Sequence, residues 1–361
     1  MMKSRKISLS QAVPGMVAAS DLFSKDGLLI MNKDTILTDK IITRLEFYSV
    51  LELDINIITS TEDATVILAC DTYYEKLRKS ESFKAFQMAY QQAIDGIKHS
   101  FEDIVTRKSA VDTDILLADA RKILSQSSSG MEIINMLQCI RNYDDATFVH
   151  SLNVALICNI IGKWLHFTPE DLDTITLCGL LHDIGKLLIP SEIILKPAKL
   201  TKEEYTKIKT HSYLGFELLK NTMLDSRVKK AALLHHERCD GSGYPFAYQS
   251  DRIDSFSKLV AIADVYDAMA SPRVYRGPLS PFEVMSIIES EGYKKYDPKY
   301  LITFMQSIAE SYIRNNVRLS NNQIGEVVFI NHSELSRPVI RVDNQFIDLS
   351  KQRNINIVSL A

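Results

Sequence analysis

The sequence of 361 residues has few cysteines, little net charge and no long apolar run. Its 5 cysteines are dispersed without a C-x-x-C pair, which excludes a zinc ribbon and a thioredoxin-like motif and suits a reducing compartment. No stretch approaches the roughly 18 unbroken apolar residues of a membrane span, and no apolar segment follows the basic start as in a signal peptide. We therefore expect a cytoplasmic protein that does not cross a membrane.

The charge balance and the missing nucleotide motifs exclude further classes. The net charge is −3, from 42 Lys and Arg against 45 Asp and Glu. Bulk charge therefore does not favour binding to polymeric nucleic acid or to an anionic membrane, and any anion must be met by local cations. Neither a P-loop G-x-x-x-x-G-K-[ST] nor a complete G-x-G-x-x-G occurs, so no motif for ATP- or NAD-driven chemistry is present.

Residue patterns divide the chain into four segments. Residues 1–64 mix short strand-like runs with turn signals and predict a small α+β module, whereas residues 65–130 follow a helical period and predict a helical linker or bundle. Residues 131–317 predict a helical domain, and residues 318–361 change to a strand-like period that predicts a small β-rich extension. The predicted fold class is therefore mainly α, with a small α+β module before and a β appendage after the helical domain.

Ligand-type side chains concentrate in the helical domain, where six of the 8 histidines lie between residues 150 and 236. Thr168 before Pro169, and Thr201 with Glu204 three residues later, mark the starts of two predicted helices, and each helix leads to a histidine. His166 receives no role. The histidines and aspartates that we place on buried helix faces or at helix ends are His150, His182, Asp183, His211, His235, His236 and Asp264.

This set predicts a metal centre. A lone inward histidine is usually a satisfied core residue, but five histidines and two aspartates left unpaired would cost on the order of several kcal/mol in desolvation. Seven ligands are too many for one zinc ion, and nitrogen and carboxylate ligands without thiolate favour iron or manganese. We therefore predict two divalent ions, Fe or Mn, with Asp183 as the bridging carboxylate.

Longer strings surround these ligands. Residues 182–186 read H-D-I-G-K, residues 235–245 read H-H-E-R-C-D-G-S-G-Y-P, and I-A-D-V-Y-D-A-M begins at residue 262. From about residue 143 to 298 the chain resembles the HD-GYP family, a branch of the HD-domain metal phosphohydrolases. The resemblance implies a helical HD-type fold. It also implies hydrolysis of the bacterial second messenger cyclic di-GMP to pGpG, GMP or both by a hydroxide that a pair of metal ions activates.

The resemblance also implies roles for individual residues. It assigns the same seven metal ligands, makes Asp183 and Lys186 catalytic, and gives Lys186, Arg273 and Arg276 contacts with the substrate phosphates. It places a loop beside the substrate and makes that loop a docking surface for GGDEF-type cyclase domains. The residues concerned in this loop are Asp240, Gly243, Tyr244 and Pro245.

Two positions qualify that picture. Family members with a third metal carry a glutamate one helical turn before the first histidine, where this sequence has Ala146, so we predict two ions. Glu237 is a candidate for orienting a neighbouring histidine rather than for binding metal.

Several alternatives remain open. Related HD enzymes act on other nucleotides, so cyclic GMP-AMP, (p)ppGpp or a nucleoside or deoxynucleoside triphosphate is a second hypothesis for the substrate, although the G-Y-P string favours cyclic dinucleotides. A third hypothesis is a non-catalytic cyclic di-GMP sensor. One hypothesis for the first 130 residues is that they sense a signal or position the domain that follows, as a homodimer formed through the helical stretch. The alternative is that they form a module that only packs against the rest of the chain.

Overall fold

The computed structural model describes most of the chain. The described residues are 3–8, 16–23, 29–37, 41, 45, 52–57, 73–107, 111–127, 129–140, 146–194, 196, 200–270 and 279–361. They divide into two compact units. The second unit comprises Tyr73–Ala270 and Ser280–Ala361, and the first takes in the described residues before position 73.

The first unit consists of short antiparallel strands around a small apolar core. β1 (Lys3–Ser8) pairs with β4 (Glu52–Ile57), and β2 (Leu22–Phe23) pairs with β3 (Leu29–Met31). The core residues are Ala18, Ile30, Met31, Leu37, Leu45, Leu53 and Ile55.

The second unit is built mainly from helices. In chain order they are α1 (Tyr73–Lys79), α2 (Glu81–Arg107), α3 (Thr113–Leu124), α4 (Gly130–Cys139), α5 (Ala146–Trp164), α6 (Pro169–Leu181), α7 (Ser191–Ile194), α8 (Lys202–Lys209), α9 (His211–Leu219), α10 (Ser226–Leu234), α11 (Ser255–Ala270), α12 (Pro281–Lys295) and α13 (Pro298–Ser311). A 3-10 helix, Ile184–Leu188, follows α6. No helix among the described residues is long and apolar enough to cross a membrane.

The predicted helix starts are confirmed at both sites. The Thr168 side chain accepts a hydrogen bond from the Asp171 backbone N–H, and Pro169 occupies the first turn of α6. Thr201 and Glu204 form a reciprocal capping box at the start of α8. Each cap satisfies backbone donors that the first helical turn leaves unpaired, which is why these local sequences mark the boundaries reliably.

The helix predicted to run from Thr201 through His211 is wrong in one respect. It is two helices, because α8 ends at Lys209 and α9 begins at His211. Between them the Thr210 hydroxyl donates to the Lys207 carbonyl at 2.7 Å, and this side-chain bond helps to end the first helix. The break places His211 at the buried start of a helix that packs against the 3-10 helix.

Burial on α5 is also broader than the single apolar face that the sequence indicated. Every residue from Ser151 to Ile161 is buried. Neighbouring helices cover it on several sides, since α6, α11, α13 and α2 all pack against it. The helix that carries His150 is therefore the central element of the second unit.

The β-rich extension is a five-stranded antiparallel sheet in the order β8-β7-β6-β5-β9. Its strands are β5 (Asn316–Leu319), β6 (Ile324–Phe329), β7 (Val339–Val342), β8 (Gln345–Asp348) and β9 (Ile357–Leu360). The sequence predicted β6, β7 and β9 but not the short, more polar β5 and β8. The mainly α fold with a small β appendage is confirmed, whereas the boundaries at 64, 130 and 317 stay predictions.

Candidate metal centre

The seven predicted ligands converge on one site in two adjoining groups. One group contains Asp183, His211, His235 and His236, and the other contains His150, His182 and Asp264. Within each group, one possible ligand atom per residue lies within 4.8 Å of the others. The ligands come from α5, the end of α6, the start of α9, the end of α10 and the middle of α11, so tertiary packing assembles the site.

Asp183 faces both groups with its two carboxylate oxygens. Its Oδ1 lies 3.2 Å from Nε2 of His211 and 3.6 Å from Nε2 of His235. Its Oδ2 lies 3.3 Å from Nε2 of His182 and 3.5 Å from Nε2 of His150. This is the arrangement that a bridging carboxylate requires.

Backbone carbonyls orient three of the imidazoles. The Nδ1–H of His182 donates to the Gly179 carbonyl at 2.6 Å, and that of His211 donates to Ile208 at 2.7 Å. His235 uses Nδ1 in the same way toward the carbonyl of Ala231 at 2.9 Å. Because a carbonyl oxygen only accepts, the proton sits on Nδ1 in each case and the Nε2 lone pair faces the centre.

The donor set fits bound cations. The Nε2 atoms of His211 and His235 lie only 3.2 Å apart, although both rings have their proton on Nδ1, so two lone pairs face one another. Nε2 of His182 and Oδ1 of Asp183 are buried and have no hydrogen-bond partner. Buried acceptors without donors cost free energy, and a divalent cation between them removes that cost.

The electrostatics of the site are those of a charged, buried cluster. Burial opposes ionisation of Asp183, but the Lys186 ammonium group and contacts with the His182 and His211 rings hold the pKa of its carboxyl well below the usual range. Burial likewise opposes ionisation of Asp264, and its contact with His150 keeps the pKa of that carboxyl well below the usual range. Both carboxylates are therefore ionised and able to bind metal at neutral pH.

The histidines separate into two electrostatic types. Burial alone lowers the pKa of His150, but hydrogen bonds with Asp264 and Asp267 outweigh it and raise the value to about 10. For His235, burial is the largest influence and lowers the pKa to about 4. His236 is shifted the same way, because burial and the neighbouring His235 hold its pKa well below the usual range. These last two rings are thus neutral ligands at pH 7.

Asp267 supports His150 and was missed by the sequence analysis. Its Oδ2 accepts from Nδ1 of His150 at 2.7 Å, while Nε2 of the same ring lies 3.1 Å from Asp264 Oδ1. A carboxylate behind a metal-binding histidine fixes the ring orientation and makes its free nitrogen a better donor. The three-residue spacing between the two aspartates on α11 could have indicated it, since residues three apart share a helix face.

The G-Y-P loop lies directly against the ligand group that contains His211 and His236. The Tyr244 ring stacks on the His236 ring with centroids 4.6 Å apart, and Nζ of Lys209 lies 5.7 Å from the Tyr244 centroid. A Cβ at Gly243 would come within 2.4 Å of the Arg238 backbone nitrogen, so only glycine allows this close approach. Tyr244 and Pro245 are joined by a cis peptide bond.

Other predicted loop residues have local roles. The Asp240 carboxylate accepts from the backbone N–H of Ser242 at 2.9 Å and from its hydroxyl at 2.6 Å, so it shapes the turn. Glu237 has a different partner from the histidine that the sequence suggested. Its buried carboxylate accepts from the backbone N–H groups of Phe246 at 2.7 Å and Tyr248 at 2.9 Å and holds the far side of the loop.

The predicted substrate cations are only partly described. Lys186 forms an ion pair with Oδ2 of Asp183 and therefore lies at the centre. Arg273 and Arg276 lie outside the described residues. The sequence did not indicate Lys209. Its ammonium group places a further cation beside the Tyr244 ring of the loop.

Comparison with known proteins identifies the domain. Residues 124–300 match the HD domain family. Over 164 residues the chain is 43% identical to the 3'3'-cGAMP-specific phosphodiesterase 1 of Vibrio cholerae, covering 44% of this chain and 38% of that protein. Over 178 residues it is 36% identical to a cyclic di-GMP phosphodiesterase of Thermotoga maritima, covering 49% of this chain and 48% of that protein. The chain therefore contains an HD domain that is similar to proteins named as cyclic-dinucleotide phosphodiesterases.

Two further similarities bear on this HD domain. Over 205 residues the chain is 30% identical to a cyclic di-GMP phosphodiesterase of Pseudomonas aeruginosa, covering 56% of this chain and 49% of that protein. In fold it is similar to an HDG"Y"P protein from Bdellovibrio bacteriovorus, with a TM-score of 0.51 at 16% identity over 84% of this chain and 98% of that one. The chain thus spans half or less of the length of these curated relatives.

Proposed function

We propose that this chain is a metal-dependent phosphodiesterase that hydrolyses cyclic di-GMP to pGpG, GMP or both. The observation that carries the proposal is the position of Asp183. One of its carboxylate oxygens faces His211 and the other faces His182, with unpaired nitrogen lone pairs on both sides. This donor arrangement suits a metal pair, and the G-Y-P loop closes one side of it.

The residues of the chain have separable tasks in this reaction. A pair of divalent ions supplies Lewis-acid activation of water and of the phosphoryl oxygens when it is bound. Asp183 holds the two ligand groups at a common centre, and the seven ligands described above hold the ions. The side chains of His182, His211 and His235 are fully buried. Water therefore reaches the centre only from the side on which substrate binds.

Substrate contacts are proposed for cations and for the loop. Lys186 lies at the centre in contact with Asp183, where its ammonium group is available to stabilise charge on a phosphodiester oxygen. Gly243, Tyr244 and Pro245 line the neighbouring edge, and Asp240 supports their turn through Ser242. We retain Arg273 and Arg276 as phosphate contacts from the sequence alone.

We propose two ions, iron or manganese. The ligand set consists of imidazole nitrogens and carboxylate oxygens without a thiolate, which favours these metals over a closed zinc site. The division of the ligands into two groups supports two ions, and Ala146 in place of a glutamate disfavours a third.

A second candidate substrate is cyclic GMP-AMP. The specific observation in its favour is the 43% identity to a 3'3'-cGAMP-specific phosphodiesterase over 164 residues. Both substrates carry two phosphodiester groups, so the metal centre does not distinguish them. Contacts with the bases decide the preference.

We also propose partners and a location. An exposed aromatic ring supports docking of a GGDEF-type domain at the G-Y-P loop, since the exposed Phe246 stacks on the half-buried Tyr248 at 4.9 Å beside Pro245. The exposed Met88 on α2 and Ile115 on α3 support a homodimer through the helical stretch. The dispersed cysteines support a cytoplasmic location.

The test combines metal analysis with product identification on anaerobically purified full chain. His182→Asn and Asp183→Ala should lose bound metal and cyclic di-GMP hydrolysis together, because each removes a ligand from the centre. Lys186→Met should keep its metal and lose about 100-fold or more in kcat, since it removes only charge stabilisation. The matched control is His166→Asn, a histidine at positive φ with no ligand role, which should retain both.

Three outcomes would overturn the proposal or redirect it. Undiminished hydrolysis in a variant that holds no metal would exclude the mechanism. Tight binding of cyclic di-GMP without turnover in Fe(II) or Mn(II) would establish a sensor instead of an enzyme. Faster turnover of cyclic GMP-AMP, or of a mononucleotide, would replace cyclic di-GMP as the substrate.

A further inference from the structure

The hydrogen bonds behind His150 continue outside the HD domain. Asp267, which accepts from the His150 ring, also accepts at Oδ1 from Nδ2 of Asn153 at 2.9 Å. The Asn153 carbonyl oxygen in turn accepts from the hydroxyl of Tyr90 at 2.6 Å. Tyr90 lies on α2, ahead of the residues that match the HD domain family. A path of hydrogen-bonded side chains thus joins a flanking helix to a candidate metal ligand.

The side chains of this path are buried, and the direction of each hydrogen bond between them is fixed. Tyr90 is 3% exposed, and Asn153 and Asp267 are each 5% exposed, so water does not replace their partners. The amide nitrogen of Asn153 must face the carboxylate of Asp267, because a carboxylate only accepts. Its oxygen is then left for Tyr90, and burial raises the pKa of that phenol well above its ordinary value, so the hydroxyl keeps its proton.

Removing the hydroxyl would therefore affect more than one bond. Without a donor at its oxygen, the Asn153 amide has a buried unpaired acceptor and less reason to keep its nitrogen toward Asp267. Asp267 would then lose a hydrogen bond that helps to hold its carboxylate behind His150. The Tyr90 hydroxyl also lies 3.4 Å from the carbonyl of Val149, the residue immediately before this histidine.

Aromatic contacts hold α2 in the position that these hydrogen bonds require. The Tyr90 ring stacks on Phe86, which is fully buried, with centroids 5.8 Å apart. Further along α2, Phe101 contacts Phe148 of α5 at 5.9 Å. Helix α2 thus contacts α5 at two points, through the bond of the Tyr90 hydroxyl to Asn153 and through the Phe101 ring. The second contact is made to Phe148, two residues before His150. A shift of α2 would move the Tyr90 hydroxyl relative to Asn153.

We propose that Tyr90 is a positioning residue of the metal centre. It acts through Asn153 and Asp267 on the imidazole of His150, so the placement of α2 sets the metal affinity of the adjoining ligand group. This inference rests on the metal centre of the proposed function but not on its substrate. It gives the helical segment ahead of the HD domain a direct route to the site.

The test measures Mn(II) affinity by calorimetric titration of the chelator-treated full chain. Tyr90→Phe should weaken the binding event that involves His150 by about tenfold, the lower end of the effect expected for partners of metal ligands. The matched control is Tyr312→Phe, because the buried Tyr312 hydroxyl also donates to an asparagine carbonyl, that of Asn135, at 2.9 Å. The control should lower the unfolding midpoint similarly and leave Mn(II) affinity unchanged.

A double-variant cycle tests the route. Asp267→Asn removes the carboxylate behind His150, so adding Tyr90→Phe to it should cause little further loss of affinity. Full additivity of the two losses would exclude action through Asp267. Wild-type affinity in Tyr90→Phe, or an equal loss in Tyr312→Phe, would overturn the inference.

The two proposals fail separately in this design. A wild-type chain that binds neither Mn(II) nor, under anaerobic conditions, Fe(II) would overturn both the inference and the metal-dependent function. A chain that binds Mn(II) and responds to Tyr90→Phe, but does not hydrolyse cyclic dinucleotides, would overturn only the proposed function.

Discussion

Gly185 and His211 meet backbone to backbone. A Cβ on Gly185 would come within 2.0 Å of the His211 carbonyl oxygen and 2.5 Å of the Gly215 backbone nitrogen. The 3-10 helix that follows Asp183 therefore packs directly on the start of α9. This close approach brings the Asp183 carboxylate to the His211 ring, and it depends on the glycine two residues after the aspartate.

Gly185→Ala should separate these two ligands. The methyl group meets backbone atoms that cannot turn aside, so we expect a loss of about 3 kcal/mol or more in the free energy of unfolding, at or above the usual range for overpacking. Metal content should fall because Asp183 and His211 are forced apart. Urea unfolding and elemental analysis of the same preparation measure both effects.

Two other glycine variants test whether the losses depend on how little space the new Cβ has. In Gly215→Ala the nearest atom to the new Cβ is 3.2 Å away, so its losses should be smaller. Gly96→Ala on α2 meets only the flexible end of Asp119, and helix propensity should leave it equal to or about 0.5–1 kcal/mol more stable than wild type. Equal behaviour of all three variants would show that the contact at Gly185 does not hold the ligands together.

Glu237→Gln should loosen the G-Y-P loop without removing metal. An amide offers one acceptor where the carboxylate serves the N–H groups of both Phe246 and Tyr248, so one buried donor loses its partner. The expected cost is about 1–3 kcal/mol in the free energy of unfolding, with a higher KM for cyclic di-GMP. Glu283→Gln, whose carboxylate accepts from the Ser280 backbone in a capping box, is the control.

This variant also separates two interpretations of Glu237. If it orients a histidine, as the sequence suggested, Glu237→Gln should lose metal and leave the loop unchanged. The structure predicts the opposite pattern. Metal content and loop protection from hydrogen exchange distinguish them.

Glu289→Gln should change the pH dependence of stability. Burial raises the pKa of this carboxyl, against the opposing hydrogen bond from Ser336. The folded chain therefore binds the proton more readily than the unfolded chain, and wild type should gain stability relative to Glu289→Gln as the pH falls from 7 toward 4.5. Below that value the difference should be constant.

Unfolding curves of both proteins across this pH range give the difference directly. Glu310→Gln, an exposed glutamate on the following helix, corrects for the removal of one negative charge. A relative loss of wild-type stability on acidification would contradict the sign expected for a buried carboxyl.

Local signals in the sequence were reliable where the structure uses local chemistry. The caps at Thr168 and Thr201 satisfy donors within one helical turn, so their residues alone mark the helix starts. The strands β6, β7 and β9 were found because each contains a run of apolar residues, whereas β5 and β8 are more polar. The continuous helix through His211 was wrong because the chain makes a turn at Thr210, whose backbone N–H donates to the Lys207 carbonyl three residues back at 3.1 Å.

The sequence by itself determined which seven histidines and aspartates are the candidate ligands, because such residues on buried helix faces need a common charged partner. Only the tertiary structure decided how they meet. It shows that Asp183 faces both ligand groups, that Glu237 holds the loop, and that Tyr90 and Asp267 stand behind His150. These contacts join residues far apart in the chain, and their geometry follows from how the helices pack, which no local pattern encodes.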